Sequence, residues 1–225
     1  MLENIQFQTL EISFETKEIV KLTFNRPEVS NAINVDMMQE LVQFWKWADK
    51  NKDKLRCIIL TGKGEKAFCA GADLKARRDI SLSTWKSQHK ILQKVMRAMV
   101  NCSIPIIAAV NGAAYGGGLE LALASDFIYC AETAVFSQSE VKIGIIPGAM
   151  GTQHLPKACG IRRAKELCFT AESFSAMDAL EWGIVNKVCK FEDLLAEALK
   201  TAKKITENAP IAVRCAKAAL NSKAG

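Results

Sequence analysis

Apolar and polar positions alternate in two short runs near the start of the chain, and the pattern then becomes helical. Residues 10–15 (LEISFE) and 19–24 (IVKLTF) alternate as half-buried strands do, and the turn NRPE after them contains Pro27. A helix is predicted over about 35–50. The apolar run 56–62 (RCIILTG) has β-branched residues and ends in glycine, so it predicts a buried strand.

The same order of strand, loop and helix returns further along the chain. Residues 104–112 (IPIIAAVNG) predict a strand, residues 119–126 (LELALASD) a helix, and residues 127–136 (FIYCAETAVF) two short strands. From residue 152 the pattern is mostly helical, with one more strand predicted at 183–188. The whole pattern predicts an α/β protein, in which a parallel sheet is followed by helices at the C-terminal end.

One predicted helix, over residues 84–100, has an apolar stripe. The stripe contains Trp85, Ile91, Leu92, Val95, Met96 and Met99. Because these positions recur at helical spacing, we interpret the stripe as a face that packs into the core.

Composition and charge narrow the classes of protein. A chain of 225 residues with 49% apolar and 24% charged residues is typical of one globular domain. The net charge of +6 is spread along the chain, so it does not predict RNA or another polyanion as the partner. The N-terminus contains acidic residues and no apolar run reaches spanning length, so we expect an intracellular protein without membrane association, unless a leader was removed.

The cysteines and histidines give no sign of disulfides or of a metal site. Six of the eight cysteines lie in apolar runs without paired spacing: Cys57, Cys102, Cys130, Cys168, Cys189 and Cys215. They predict buried, reduced thiols. The two histidines, His89 and His154, are far apart in sequence, and no CxxC pair occurs, so we expect no metal.

Two glycine-containing loops follow predicted strands, IILTGKGEKAFCAGADLK (58–75) and IIAAVNGAAYGGGLE (106–120). Glycines at such positions either close tight turns or let a ligand oxygen reach bare backbone N–H groups at a helix start. The order GxxxxGK[ST] is absent, so a P-loop is excluded.

Two carboxylates lie close to these loops. Glu120 follows the three glycines, and Glu140 lies in the apolar segment FSQSEVKIGIIPG (136–148). Two glutamates at apolar loop edges could hold one water molecule between them if the fold brings them together. The alternatives are a first-turn glutamate favoured by the helix dipole for Glu120, and a surface charge for Glu140.

Three segments in this order, FCAGADLK, IAAVNGAAYGGGLELALASD and FSQSEVKIGIIPGAMGTQHLP, closely resemble the enoyl-CoA hydratase/isomerase (crotonase) superfamily. The resemblance runs from about residue 5 to the end of the chain. It implies an α/β, crotonase-like spiral of ββα units over residues 1–190. Residues 191–225 then begin a helical C-terminal part, which we expect to lack the last helices of the family.

The resemblance also implies roles for particular residues. The backbone N–H groups of Ala72 and Gly117 would bind the thioester oxygen as an oxyanion hole. Glu120 would activate water for addition at the β-carbon, and Glu140 would deliver the proton to the α-carbon. Gly148 would help to hold the attacking water.

The first of the three segments is expected to carry the coenzyme A path. The implied residues are Ala70, Ala72, Asp73, Leu74 and Lys75, with the segment NRPEVSNAI near the adenine. Lys75, Arg77 and Arg78 either screen the coenzyme A phosphates or form a solvated face. Trp85 and Tyr115 are candidates for setting the length of the acyl pocket.

Two residues depart from the pattern of the family, PGAGGTQR, because this chain has PGAMGTQH with Met150 and His154. The methionine side chain could narrow the pocket or alter the loop that positions Gly148.

The expected function is hydration of a short- or medium-chain 2-enoyl-CoA without a separate cofactor. Alternatives are a 3-enoyl-CoA isomerase, a methylglutaconyl-CoA hydratase, or a binding protein for acyl-CoA or RNA. We expect a homotrimer or hexamer located in the cytoplasm or, after removal of a leader, in the mitochondrial matrix.

Overall fold

The computed structural model describes residues 7–222, which form two sheets surrounded by helices. The described strands are β1 (Leu10–Phe14), β2 (Ile19–Phe24), β3 (Cys57–Gly62), β4 (Ala67–Cys69), β5 (Ile106–Val110), β6 (Ala113–Tyr115), β7 (Phe127–Ala131), β8 (Val135–Ser137), β9 (Phe174–Ser175) and β10 (Lys187–Cys189). The described α-helices are α1 (Val35–Lys50), α2 (Leu82–Val100), α3 (Gly117–Leu123), α4 (Gly151–Thr170), α5 (Ala176–Glu181), α6 (Leu194–Thr206) and α7 (Pro210–Asn221).

The larger sheet has the order β1-β2-β3-β5-β7-β10, and the smaller sheet has the order β4-β6-β8-β9. In each sheet one terminal pair is antiparallel, β1 with β2 and β8 with β9, and the other pairs are parallel. Three successive units each give one strand to the larger sheet, one to the smaller sheet, and then a helix: β3-β4-α2, β5-β6-α3 and β7-β8-α4. The predicted spiral of ββα units is confirmed.

The core lies on both faces of the larger sheet. On one face, β2 and β3 pack against α1 and α2, with buried side chains that include Leu22, Phe44 and Met96. On the other face, α6 presents Leu194, Ala198 and Ala202 to a smaller apolar cluster that includes Ile59 and Ile107. Because α6 covers a sheet face, it stabilises the strands from which the site loops emerge. The domain boundary at residue 190 stays a prediction.

Several details differ from the sequence pattern. Strands β4, β6 and β9 were not predicted, because runs of two or three residues carry too little alternation to be recognised. The strand predicted at 183–188 lies at Lys187–Cys189, since Ile184 and Val185 are buried in the turn after α5. Within the helical pattern predicted from residue 152, α4 is two helical segments joined at Gly160, whose φ of 77° and ψ of 157° are not helical.

Two predictions of burial were wrong in part. Cys168 and Cys189 are only partly buried and Cys215 is exposed, because the helix faces and sheet edge that carry them reach the surface. Trp85 is 38% exposed, since the first turns of α2 extend beyond the core, although Val95, Met96 and Met99 on the same stripe are fully buried.

Gly118 lies where the start of α3 crosses β4, and the contact leaves no space for a side chain. A β-carbon at this residue would lie 1.9 Å from the Cys69 carbonyl oxygen. We expect Gly118→Ala to lower the free energy of unfolding by more than about 3 kcal/mol, the upper end of typical overpacking costs. The reason is that the new β-carbon would meet backbone atoms of Cys69, which cannot move aside as a flexible side chain can. Urea denaturation measures the change.

Gly144→Ala is the matched control. Gly144 has φ of 74°, and a β-carbon there would meet no atom within 4 Å, so only the left-handed backbone conformation resists the change. That cost is about 1–2 kcal/mol. Equal destabilisation by the two substitutions would show that the close contact between α3 and β4 does not cause the loss at Gly118.

Candidate active site

A pocket of about 520 Å³ opens between the two predicted glycine loops and the segment after β8. Its lining combines backbone at Gly71, Ala72 and Gly117 with the carboxylates of Glu120 and Glu140. The remaining lining is largely apolar. The structure therefore brings the two acids and both predicted oxyanion-hole residues together in one cavity.

The backbone N–H groups of Ala72 and Gly117, both in the pocket lining, are not used by the hydrogen bonds of their neighbours. Ile33 N donates to Gly71 O and Asp73 N donates to Ile33 O, so the bridge between Ile33 and Ala72 does not use the Ala72 N–H. Gly117 is the first residue of α3, where an N–H has no intrahelical acceptor. A β-carbon at Gly117 would lie 4.0 Å from Ala72 N, so the two groups are close together.

Glu120 is buried, with only 2% of its surface exposed, and lies in the first turn of α3. Its Oε1 accepts hydrogen bonds from Ala149 N at 2.8 Å and Gly151 N at 2.6 Å, at the start of α4. Burial, followed by the charge of Glu140, raises the pKa of Glu120 to about 7, and the two hydrogen bonds oppose the rise. Glu120 can therefore exchange a proton near neutral pH.

Glu140 is also buried, at 8% exposure, which overturns its interpretation as a surface charge. It begins a short 3-10 helix after β8, and Gln138 Nε2 donates to both of its carboxylate oxygens at 3.0 Å. Burial raises the pKa of Glu140 despite these hydrogen bonds. A β-carbon at Gly116 would lie 3.1 Å from Glu140 Oε1, so the glycine makes room for the carboxylate.

Met150 shapes the loop that holds Glu120, although it does not line the pocket. Its φ of 75° is left-handed, and this conformation turns the N–H groups of Ala149 and Gly151 toward the same carboxylate oxygen. The Met150 side chain packs partly buried against the core. Of the two alternatives for Met150, the contacts support an effect on the loop rather than a narrower pocket.

His154 lies away from the site. It lines a separate cavity of about 450 Å³ beside α7, and burial lowers the pKa of its imidazole. We find no role for His154 at the carboxylates.

The predicted coenzyme A residues divide into two groups. Ala70, Ala72 and Leu74 line the pocket, whereas Asp73 and Lys75 lie outside its lining. The Asp73 carboxylate accepts from Arg26 Nη1 at 3.0 Å and from the backbone N of residue 76 at 3.1 Å, so it fixes the loop. Its role as a direct coenzyme A ligand stays a prediction, as does that of Lys75.

The pocket lining also contains residues to which the sequence motifs gave no role. They are Ser139, Ile143, Ile145 and Ile146, and Gly148 is in the lining as well. Trp85 is in the lining, as predicted for an acyl-pocket residue, whereas Tyr115 lies outside it. Gln138, which donates to Glu140, was not predicted either, and its place two residues before that glutamate is a weak signal because Ser137 and Ser139 flank it.

Comparison with known proteins agrees with this geometry. The family model for enoyl-CoA hydratase/isomerase matches residues 15–225. The chain belongs to the enoyl-CoA hydratase/isomerase family. The resemblance that the three sequence segments predicted is thereby confirmed.

Individual members of the family are similar over most of their length. The short-chain-enoyl-CoA hydratase of Clostridium acetobutylicum is 39% identical over 204 residues, which cover 91% of this chain and 78% of the relative. The crotonyl-CoA hydratase of Syntrophomonas wolfei is 40% identical over 205 residues, which cover 91% of this chain and 78% of that relative. The crystal structure of an enoyl-CoA hydratase from Bacillus anthracis superposes with a TM-score of 0.93 at 40% identity, covering 96% of this chain and 83% of that one. These relatives confirm the prediction of an enzyme of the hydro-lyase class.

Two further observations concern residues 7–222 only. Their His, Cys, Asp and Glu side chains form no group of three or more that could hold a metal ion. None of the helices in this part of the chain has both the length and the apolar character needed to cross a bilayer.

Proposed function

We propose that the enzyme adds water across the 2,3 double bond of a short- or medium-chain 2-enoyl-CoA. The observation that carries this proposal is the pair of buried glutamates in one pocket, close to two backbone N–H groups of its lining. Hydration needs one group to activate water and one to protonate carbon, and this pocket has a carboxylate for each task.

The thioester carbonyl oxygen would accept hydrogen bonds from Ala72 N and Gly117 N. Negative charge grows on this oxygen when an enolate forms, so fixed donors stabilise the transition state more than the bound substrate. The acyl chain would then extend past the two carboxylates, where the apolar lining excludes bulk water.

The two glutamates would divide the proton transfers. Both backbone hydrogen bonds go to Glu120 Oε1, and we assign Oε2 to the attacking water, which Gly148 N helps to hold. As the water oxygen bonds to the β-carbon, Glu120 takes its proton. Glu140 then delivers a proton to the α-carbon and completes the addition.

The ionisations of the two acids are coupled. The charge of Glu140 is one cause of the raised pKa of Glu120, because two nearby carboxylates in an apolar pocket oppose each other's ionisation. Burial raises the pKa of both groups, that of Glu120 to about 7. Hydration uses the state with Glu120 ionised and Glu140 protonated, and a pKa near 7 lets Glu120 lose its proton in the neutral range to reach it.

Two acids favour hydration over double-bond migration, which one carboxylate can perform by moving a single proton. The names of the relatives from Clostridium and Syntrophomonas support a short acyl chain. We also propose Ala70 and Leu74 as coenzyme A contacts, no separate cofactor, and a homotrimer or hexamer, in keeping with the family resemblance. The bacterial relatives support a cytoplasmic location.

Hydration of crotonyl-CoA tests the proposal directly. Loss of the absorbance of the conjugated thioester measures turnover, and the same enzyme is offered a 3-enoyl-CoA as the competing substrate. We expect rapid hydration and slower isomerisation. A folded enzyme that only converts the 3-enoyl-CoA would establish isomerisation instead, and one that binds acyl-CoA without turnover would support a binding protein.

A further inference from the structure

The acyl side of the pocket contains an imidazole that the proposed hydration does not use. His89, on α2, stacks on Trp85 with ring centroids 5.0 Å apart and ring planes within 5°. Both rings line the pocket. Each restrains the other, so the imidazole occupies one defined position on the wall.

His89 lies directly against the glycine assigned to the attacking water. A β-carbon at Gly148 would lie 3.2 Å from His89 Cε1 and 3.8 Å from His89 Nδ1. Since Gly148 N helps to hold the water that attacks the β-carbon, the Nδ1 edge of the ring faces the chain close to and beyond that carbon.

A contact with Gln93 favours one arrangement of donors on the imidazole. Gln93 Nε2 lies 3.2 Å from His89 Nε2, one helical turn further along α2. An amide N–H donated to His89 Nε2 leaves the ring proton on Nδ1. The wall therefore presents an N–H donor to the acyl chain.

His89 is only partly buried, so a bound acyl chain would displace water from its N–H. Leu92, Ile145 and Ile146 also line the pocket, and a hydrocarbon chain lying against them would leave that N–H unpaired. Arg77, from the segment before α2, adds a cation to the lining. Burial lowers the pKa of Arg77, and the charge of Asp73 partly offsets this effect.

We infer that His89 is a specificity-determining residue that selects enoyl-CoA substrates whose acyl chain carries a carboxylate a few bonds beyond the β-carbon. This inference rests on the proposed function, because it names the acyl group of the same reaction. A carboxylate satisfies the Nδ1–H donor and complements the positive charge of Arg77, whereas a plain methyl terminus satisfies neither. The stacking on Trp85 and the contact with Gly148 keep the donor in place.

Crotonyl-CoA and glutaconyl-CoA form a matched pair of probes, because they differ only in a terminal carboxylate. The ratio of their kcat/KM values, glutaconyl over crotonyl, isolates recognition of that group. We expect His89→Phe, which keeps a ring against Trp85 but has no N–H, to lower the ratio about 10- to 100-fold, the usual range for a hydrogen bond to a charged group.

Two further variants separate recognition from packing. His89→Asn returns an amide N–H close to the position of Nδ1 and is expected to restore most of the ratio. Gln93→Leu releases the ring tautomer at an exposed position and is expected to lower the ratio by a smaller factor. If His89 had only a packing role, the kcat/KM values for both substrates would fall together and their ratio would be unchanged in all three variants.

Arg77→Met distinguishes the two anions that the guanidinium could meet. A fall in kcat/KM for glutaconyl-CoA alone supports the inference. An equal rise in KM for both substrates assigns Arg77 to a coenzyme A phosphate and leaves His89 as the residue that recognises the carboxylate. An enzyme that hydrates crotonyl-CoA but shows the same ratio in wild type and His89→Phe would overturn the inference and keep the proposed function. Failure of the wild type to hydrate either probe would overturn both.

Discussion

Replacing Glu120 by glutamine is expected to lower hydration by about two to four powers of ten, the usual range for a positioned acid or base. Glutamine keeps the shape of the side chain and an oxygen that accepts from Ala149 N and Gly151 N, but it cannot take a proton from water. The fold and coenzyme A binding therefore persist. Steady-state hydration of crotonyl-CoA measures the loss, and near-normal turnover would remove Glu120 from the mechanism.

The same substitution is expected to stabilise the protein at alkaline pH. The pKa of Glu120 is raised from 4.5 to about 7 in the folded state, so folding favours the protonated acid. Stability from this group is fully present below pH 4.5 and is lost as the pH rises through 7. The rise in pKa corresponds to about 3 kcal/mol.

Urea denaturation at two pH values tests this expectation. The free energy of unfolding of Glu120→Gln should exceed that of the wild type by up to about 3 kcal/mol at pH 8. Near pH 4.5 the two values should match, because only the ionised carboxylate destabilises the folded state. The exposed Glu172→Gln is the matched control and should change stability little at either pH. An unchanged difference between the two pH values would contradict the buried-charge explanation.

The longer elements of the fold could be predicted from the sequence because each has a strong period of its own. The uninterrupted apolar runs of β3 and β5 and the helical spacing of α1 lie where the pattern indicated. The smaller sheet could not be predicted, because β4 and β6 are three residues each and their partners come from distant parts of the chain. Pairing between short strands is decided by the larger sheet and the helices that hold them.

Some residues of the candidate site could likewise be predicted from local sequence, and others could not. The positions of Glu120 and Gly117 follow from local sequence, since both lie in the first turn of a helix that begins within the three glycines. That Glu140 is buried beside them depends on the pairing of β8 with β6, which no local pattern shows. The sequence gives no sign of a role for His89, because its neighbour in the fold, Gly148, lies much further along the chain.

Replacing Glu140 by glutamine is expected to lower hydration by about two to four powers of ten as well, but for a different reason. The proposed role of Glu140 is proton transfer at the α-carbon, whereas Glu120 acts on water. A saturated acyl-CoA has no double bond to hydrate, so exchange of its α-proton with solvent depends on Glu140 and the oxyanion hole alone.

Exchange of the α-proton of butyryl-CoA in deuterium oxide therefore separates the two acids. Glu140→Gln should lose both exchange and hydration, while Glu120→Gln should lose hydration and keep most of the exchange. Removal of the Glu140 charge should also lower the pKa of Glu120, because that charge contributes to its rise. Exchange that persists in Glu140→Gln and disappears in Glu120→Gln would reverse the assignment. Loss of exchange in both variants would mean that the carboxylates act as one coupled pair, with the proton that they share as the working acid.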